Sequence, residues 1–392
     1  DGRLHIWCST QGAHPARDAT AKILDLPVSQ VRVTPMEIGG GFGGKIPIYL
    51  EPIAALLSKK SGHAVQISMS RADVFESTGP TSGSNMTIKI GAKSDGTITA
   101  MQARLAFEAG GFPGSPVNAA AICVFAAYDV ENAQIDGYDV VVNKPKSAPY
   151  RAPGAPNAAF ACEQAMDELS QQLGIDPIDL RLKNSAKEGT RRADGPTFPR
   201  IGAVEVLEAM KDHPHYSAPL GANEGRGVAI GYWFNIGFES SVSISVNADG
   251  TVSLVEGSTD VGGSRASIAM QAAEALGIPM EDVYPSVVDT DSVGFTAVTG
   301  GSRTTYATGW AAYEAAQDLN AQMIERAASI WDVDADGIEC VSGVFQSKSD
   351  PELKMTFKEL AAQLADTGGP LMGRAAMNAG GLGASGGSFA GN

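Results

Sequence analysis

The chain is 392 residues long, enough for two or three domains with their own cores, and carries a formal charge of −15. That acidity argues against nucleic acid and anionic membrane as partners, and no apolar run is long enough to span a bilayer as a helix. Cys8, Cys123, Cys162 and Cys340 are scattered without CxxC or zinc spacing, and the five histidines form no helical pair. Neither an iron–sulfur cluster nor a protein-ligated metal is therefore expected within the chain.

The first residue is Asp1, and residues 4–7 already read as a strand, so the chain is expected to be a fragment whose targeting segment cannot be judged. A polar loop, Ser9-Thr10-Gln11-Gly12, leads to a helix over 16–24 with Pro15 at its start. Leu26-Pro27 ends it, and residues 31–34 alternate as the next strand. That strand opens into Ile38-Gly39-Gly40-Gly41-Phe42-Gly43-Gly44-Lys45, the most glycine-dense stretch before a helix over 51–60. Strand, glycine loop and helix is a geometry whose backbone N–H groups can receive an anion, and equally one that builds a tight turn around a stacked Phe42. The dinucleotide pattern lacks its following acidic residue, and Lys45 lacks the Ser or Thr of a P-loop.

Residues 65–70, 86–92, 98–107 and 134–142 read as strands, with Asp95-Gly96 as a hairpin turn and 109–121 as a loop. A stiff loop, Pro149-Tyr150-Arg151-Ala152-Pro153, enters an amphipathic helix over 157–173, and a short helix over 178–182 follows Asp176-Pro177. Arg151 either faces a ligand or pairs with Glu163 or Asp167. Residues 185–200 and 214–225 are polar and Gly/Pro-rich, read as an inter-domain connection around a helix over 204–211, and divide the chain at 1–212 and 226–392.

The second half repeats the first: a strand over 251–256, a loop, a helix over 266–276, Ile278-Pro279, a strand over 283–288, then Thr299-Gly300-Gly301-Ser302-Arg303-Thr304-Thr305 and a helix over 311–330. This predicts an α+β fold with mixed sheets and flanking helices built from duplicated units. A small hairpin over 338–345 and a helix over 353–364 follow, and 380–387 is a third glycine loop or a disordered end. Four loops could together hold an anionic cofactor: Gln11-Gly12, Gly41 to Gly44, Gly262-Gly263-Ser264-Arg265 and Gly300 to Thr304. No Ser-His-Asp or Cys-His arrangement stands out.

Ser9-Thr10-Gln11, the Gly39–Lys45 loop, Tyr150-Arg151 with its helix, and Gly300 to Thr305 in this order resemble the molybdopterin-binding large subunit of the xanthine oxidase and aldehyde oxidase family, which includes carbon monoxide dehydrogenase. The resemblance implies duplicated molybdenum-cofactor-binding domains and a molybdenum centre on a molybdopterin, often a cytosine dinucleotide. The implied reaction is oxidation of a small-molecule aldehyde or N-heterocycle carbon with water-derived oxygen. Electrons would leave through 2Fe-2S and FAD on iron–sulfur and flavin partner subunits or domains. It assigns Gln11 to an oxo ligand of molybdenum, Arg151 beside the metal ligands, and Gly41, Phe42, Gly43, Gly262, Gly263, Gly300, Gly301, Ser302, Arg303 and Thr304 to the cofactor. The Phe42, Arg151 and Gly300 loops should then share one cleft between the halves, with the Phe42 ring toward it and Lys45 at its rim. The implied location is cytoplasmic, with a periplasmic one open.

The departures bear on activity. Ala152 replaces the copper-binding cysteine of carbon monoxide dehydrogenases, Ile46 stands where purine-oxidising members carry Glu, and Gly263 stands where many members carry Gln. The family's Gly-x-Gly-Glu motif with its catalytic glutamate is absent. The expectation is a hydroxylase large-subunit fragment that is inactive alone, with a non-catalytic cofactor-binding or partner-binding module as the alternative.

Overall fold

The computed structural model describes residues 2–378, which pack as two compact units. One joins the stretch ending at Ser68 to the stretch from Ile236 onward, and the other is Met69–Asn235. The packing units therefore do not follow the linear division at 1–212 and 226–392. Residues 185–200 and 214–225, read from sequence as a connection, lie inside the second unit, where Ile178, Leu207 and Val228 form a small apolar cluster.

The chain begins with strand β1 (Leu4–Cys8), helix α1 (Ala13–Ile23), strand β2 (Val31–Pro35) and helix α2 (Glu51–Ser61). β1 and β2 are parallel, with Ile6 opposite Val33. Strand alternation turns Ile6, Val31 and Val33 onto Ala13, Ala16 and Ala21 of α1 and leaves Trp7 outside.

The Met69–Asn235 unit carries α3 (Arg71–Ser77), β3 (Ser84–Ala92), β4 (Ile98–Gly110), α4 (Val117–Cys123), β5 (Ala133–Val141), α5 (Ala155–Leu173), α6 (Pro177–Asn184), α7 (Ala203–Asp212) and α8 (Pro214–Ser217). Its sheet runs β3-β4-β5, antiparallel then parallel, and Ala158, Cys162 and Met166 of α5 join Leu105 and Phe107 in its core. No strand forms at 65–70. Ser70 instead makes a reciprocal capping box with Asp73 that starts α3. The stretch 109–121 is a loop only in its middle, because β4 runs on to Gly110 and an alanine-rich turn after Pro116 becomes α4.

The chain then returns with β6 (Glu239–Val246), β7 (Val252–Glu256), α9 (Ser264–Leu276), β8 (Val283–Val287), a π-turn at Thr304–Thr308 and α10 (Gly309–Trp331). β9 (Ile338–Val341), β10 (Val344–Ser347), β11 (Lys354–Thr356), α11 (Phe357–Ala361) and β12 (Met372–Asn378) follow. The helix expected over 353–364 begins only at Phe357, because β11 pairs with β10 and Thr356 caps the helix with Glu359. The glycine-rich 380–387 lies outside the described residues. Among the described residues no helix is long and apolar enough to cross a membrane.

The sheet of this unit runs β12-β6-β7-β8, with β7 and β8 parallel and the other pairs antiparallel. Mixed sheets with flanking helices make the fold α+β. β1-α1-β2 and β7-α9-β8 are two copies of one motif, each closing its helix before a Pro and a one-turn 3-10 segment, at Val28–Gln30 and Met280–Asp282. The copies meet where Thr290 donates its N–H to the Val33 carbonyl (3.0 Å) and accepts the Val33 N–H on its hydroxyl (3.1 Å).

Helix α10 lies unusually close to the sheet because its inner face is alanine: Ala311, Ala312, Ala315 and Ala316 are fully buried. A Cβ at Gly373 of β12 would fall 2.0 Å from the Ala315 carbonyl oxygen and 2.7 Å from Leu319 Cβ. Neither neighbour can swing aside, since one is helix backbone. Gly373→Ala should lower stability by about 1–3 kcal/mol. Urea unfolding of the full chain checks this, and an unchanged midpoint would refute such close packing.

Candidate functional site

The glycine loop and the Thr299–Thr304 turn meet at one side chain. Gln11 follows β1 and is 3% exposed. Its Oε1 accepts the N–H groups of Gly43 (2.9 Å) and Lys45 (3.1 Å), and its Nε2 donates to the Thr299 carbonyl (2.7 Å). Its backbone repeats the link, its N–H donating to the Lys45 carbonyl (2.9 Å) and its carbonyl accepting from Thr299 N–H (2.7 Å). The carboxamide lies where a Cβ on Gly41 would stand, so only glycine fits there. Gln11 is thus spent on protein partners here, rather than presenting a bare amide to a ligand.

The loop itself is built from left-handed backbone. Gly39, Gly40 and Gly43 have positive φ, and so does Phe42 at +54°, an uncommon state for an aromatic residue. The Phe42 ring stacks over Gly40 and is 58% exposed, which agrees equally with the tight-turn reading. Lys45 turns back, Nζ donating to Ser9 Oγ (2.9 Å) and the Ile38 carbonyl (2.5 Å), and burial lowers its pKa. Ile46 places its Cδ1 beside Gly300.

At the second loop, Gly262 and Gly263 have positive φ and nothing near where a Cβ would sit, so their backbone is open to approach. The donors around them already hold an acid. Asp260 accepts from Gly262 N–H (2.8 Å), Ser264 N–H (3.1 Å), Ser264 Oγ (3.0 Å) and Arg265 Nε (2.7 Å). Burial pushes its carboxyl up, but Arg265 and these donors outweigh it and hold the group at about 2. Arg265 is shared with Glu37 (2.7 Å). The sequence offered this arginine as a cation for a ligand; Asp260, two residues before the glycines and easy to overlook, engages it.

Arg303 is likewise engaged by internal partners. It is fully buried, with Nε on the Gly237 carbonyl (2.6 Å), Nη1 on the Ala297 and Val298 carbonyls (3.2 and 3.3 Å), and Nη2 on the Glu239 carbonyl (2.7 Å) and Ser240 Oγ. Burial pushes its pKa down to about 10. The guanidinium therefore supports the Gly300–Thr304 turn, its N–H groups engaged by these oxygens. Ser302 has φ +57°, Gly301 +69°, and Thr304 is buried at the start of the π-turn. Gln271 accounts for that turn. It donates to the Thr305 carbonyl (3.1 Å), drawing it out of the helical ladder, and the space it fills requires glycine at 309.

Arg151 belongs to the Met69–Asn235 unit, where it is exposed with φ +27° beside Ala152 at +54°. The ion pair considered for it goes to another residue: Arg181 holds Glu163 (2.8 Å) and Asp167 (2.8 Å). Among the described residues, no three His, Cys, Asp or Glu side chains gather as metal ligands.

Backbone donors remain for a large anionic ligand. The N–H groups of Gly40, Gly41, Phe42, Gly263 and Gly300 donate to no atom among the described residues. A glycine-lined surface with unspent N–H groups, tied together by a buried glutamine, fits a phosphate-bearing cofactor. The chain belongs to the molybdopterin cofactor-binding domain family, two models of which match residues 1–185 and 205–388. It is similar to the xanthine dehydrogenase molybdenum-binding subunit of Escherichia coli O157:H7, at 30% identity over 382 residues covering 92% of this chain and 51% of that protein. It is also similar to the aldehyde oxidoreductase molybdenum-binding subunit of Escherichia coli K12, at 31% over 294 residues, 72% of this chain and 40% of the other. Among solved structures, carbon monoxide dehydrogenase from Oligotropha carboxidovorans shares the fold with a TM-score of 0.83 at 24% identity, covering 99% of this chain and 53% of that one. Quinoline 2-oxidoreductase from Pseudomonas putida 86 does so with 0.81 at 21%, covering 95% and 53%. The chain spans about half the length of the curated relatives it matches over most of its own.

Removing the Gln11 carboxamide strands two N–H groups and a carbonyl in a buried place. Each buried group left unpaired costs about 1–3 kcal/mol. Gln11→Ala should lower the unfolding midpoint and speed amide exchange at Gly43 and Lys45 together. Faster exchange at one of them without the other would show that the glutamine does not join the loop as a unit.

Proposed function

We propose that this chain is a cofactor-holding part of the large subunit of a molybdenum-dependent hydroxylase whose parent oxidises an aldehyde or N-heterocycle carbon with oxygen from water. The observation that carries the reading is the Gln11 bridge, which joins the glycine loop to the Gly300 turn while leaving Gly40, Gly41, Phe42 and Gly300 N–H groups unspent. The ligand inferred is a molybdopterin carrying molybdenum, a cytosine dinucleotide form being open. When bound, that group supplies the oxygen transfer and accepts the substrate's electron pair.

The chain's own residues bind and orient. The unspent N–H groups of the first loop and of Gly263 would receive phosphate or pterin oxygens. Gln11 would hold the two loops at a set distance and could turn its amide toward an oxo ligand by giving up the Thr299 carbonyl. Phe42 would cover the metal side, and Gly262, Gly301, Ser302 and Thr304 would border the cofactor. Arg151 would stand near the metal ligands, a role resting on the resemblance alone. Ile46, apolar against Gly300, favours an aldehyde or a less polar N-heterocycle over a purine. Electron exit would require iron–sulfur and flavin partners, because the four cysteines lie apart in sequence and are free thiols. We therefore infer that the chain binds cofactor without turning over alone.

Production in a host that makes the cofactor, followed by metal analysis and fluorescence of the oxidised pterin, tests the reading. Stoichiometric molybdenum and pterin are expected, reduced by Gly263→Val, which strains a backbone at φ +99°. A folded chain with background levels of both would overturn cofactor binding. Turnover of aldehydes or N-heterocycles with an artificial acceptor would overturn the inactivity.

A further inference from the structure

Beneath the Gly262–Gly263 and Gly300–Thr304 turns lies a line of buried polar groups that the cofactor reading does not use. Arg303 Nη2 donates to Ser240 Oγ. Ser240 Oγ is 2.8 Å from Thr308 Oγ1, and Thr308 Oγ1 is 2.6 Å from Ser258 Oγ. Ser258 donates its N–H (2.5 Å) to the Glu256 carboxyl at the end of β7. Arg303, Ser240, Thr308, Ser258 and Glu256 are each at most 1% exposed.

The chemistry of the groups orients the line. A guanidinium can only donate, so Ser240 accepts from it. Ser240, Thr308 and Ser258 then link hydroxyl to hydroxyl, and the Ser258 N–H donates to the carboxyl. Hydrogen bonds linked in this way polarise and strengthen one another in a low-dielectric interior. The line crosses from the π-turn after Thr304 to the turn that begins at Gly257, and Thr299 Oγ1 adds a second tie by donating to the Thr259 carbonyl (2.7 Å).

We propose that Glu256 is a positioning residue: by holding the Ser258 N–H at the end of this hydroxyl line, it fixes the turn bearing Gly262 and Gly263 against the turn bearing Gly300 to Thr304. Its surroundings favour the neutral acid. Glu256 Oε1 has no partner among the described residues. The Arg303 N–H groups go to oxygens other than those of Glu256, Arg265 is engaged by Asp260 and Glu37, and Asp260 is a like charge. Glu239, near Arg303, contributes its backbone carbonyl. Burial pushes the Glu256 carboxyl up to about 8 against the pull of the Ser258 N–H, with Asp260 adding to the rise. A folded pKa above the unfolded value means the folded state holds a proton the unfolded chain has lost. The contribution is then full below about 4.5 and falls as pH rises through about 8.

The test is hydrogen exchange of the full chain from pH 5 to 9, read as protection of the two turns relative to β10, the middle strand of the β11-β10-β9 sheet. Wild-type protection should fall between pH 5 and 8, by up to about tenfold per unit, and level off above. Glu256→Gln keeps an accepting oxygen but cannot ionise, so it should match wild type at pH 5 and remain flat. Thr308→Val should loosen both turns at every pH, and Thr308→Ser should restore them. A flat wild-type profile, a Glu256→Gln profile parallel to wild type, or Thr308→Val behaving as wild type would each overturn the proposal. Should Glu256→Gln not fold, the wild-type profile and the Thr308 pair still decide. Molybdenum content plays no part in the readout, so failure here leaves the cofactor reading standing.

Discussion

The arrangement of the loops depends on one buried carboxamide. Gln11 sits where a strand ends, and its two polar atoms face opposite partners, Oε1 toward the glycine loop and Nε2 toward Thr299. An amide suits this place because it accepts and donates at once. A carboxylate would face the Thr299 carbonyl with repulsion, and an aliphatic side chain would strand every partner. The loop pays for left-handed backbone at Gly39, Gly40, Phe42 and Gly43, and the glutamine holds it in that state.

The same economy of internal partners recurs around the other turns. The Asp260 carboxylate fills the donor ring at the start of α9, and the Arg303 guanidinium fills the ring of carbonyls under the Gly300 turn. In each case a side chain from the turn itself satisfies groups that would otherwise wait for a ligand. What is left exposed is backbone: N–H groups on glycine, approachable because no Cβ stands over them. Recognition by backbone suits a cofactor shared by many enzymes, since it requires space and polarity rather than a particular side chain.

Duplication supplies the frame. β1-α1-β2 and β7-α9-β8 both place a polar turn before the helix and a glycine turn after the second strand. Strand β2 of the first copy exchanges hydrogen bonds with the turn that follows β8 in the second, through Val33 and Thr290. Loops that are far apart in the chain, at Gly41 and Gly300, thus come together because the two copies pack within one unit.

Much of this was legible in the residues. Alternation at Leu4 to Trp7, the Leu26-Pro27 and Ile278-Pro279 stops, and glycine clusters after the second strands marked the repeat and the α+β class. The strand β6 was equally legible, in the alternation of Val242, Ile244 and Val246, although it was not read as one; β12, built on Gly and Ala, carries little strand signal of its own. The partners of charged and polar side chains were not legible, because pairing is decided by distance in space and sequence records only order. Arg303 looked like an anion's partner and supports a turn; Glu163 and Asp167 looked available to Arg151 and belong to Arg181. Local patterning determined the elements and the positions of the glycine turns. Only the tertiary structure decided which donors those turns keep and which their own side chains consume, because a hydrogen bond of 2.7 Å between Gln11 and Thr299 spans 288 residues of chain.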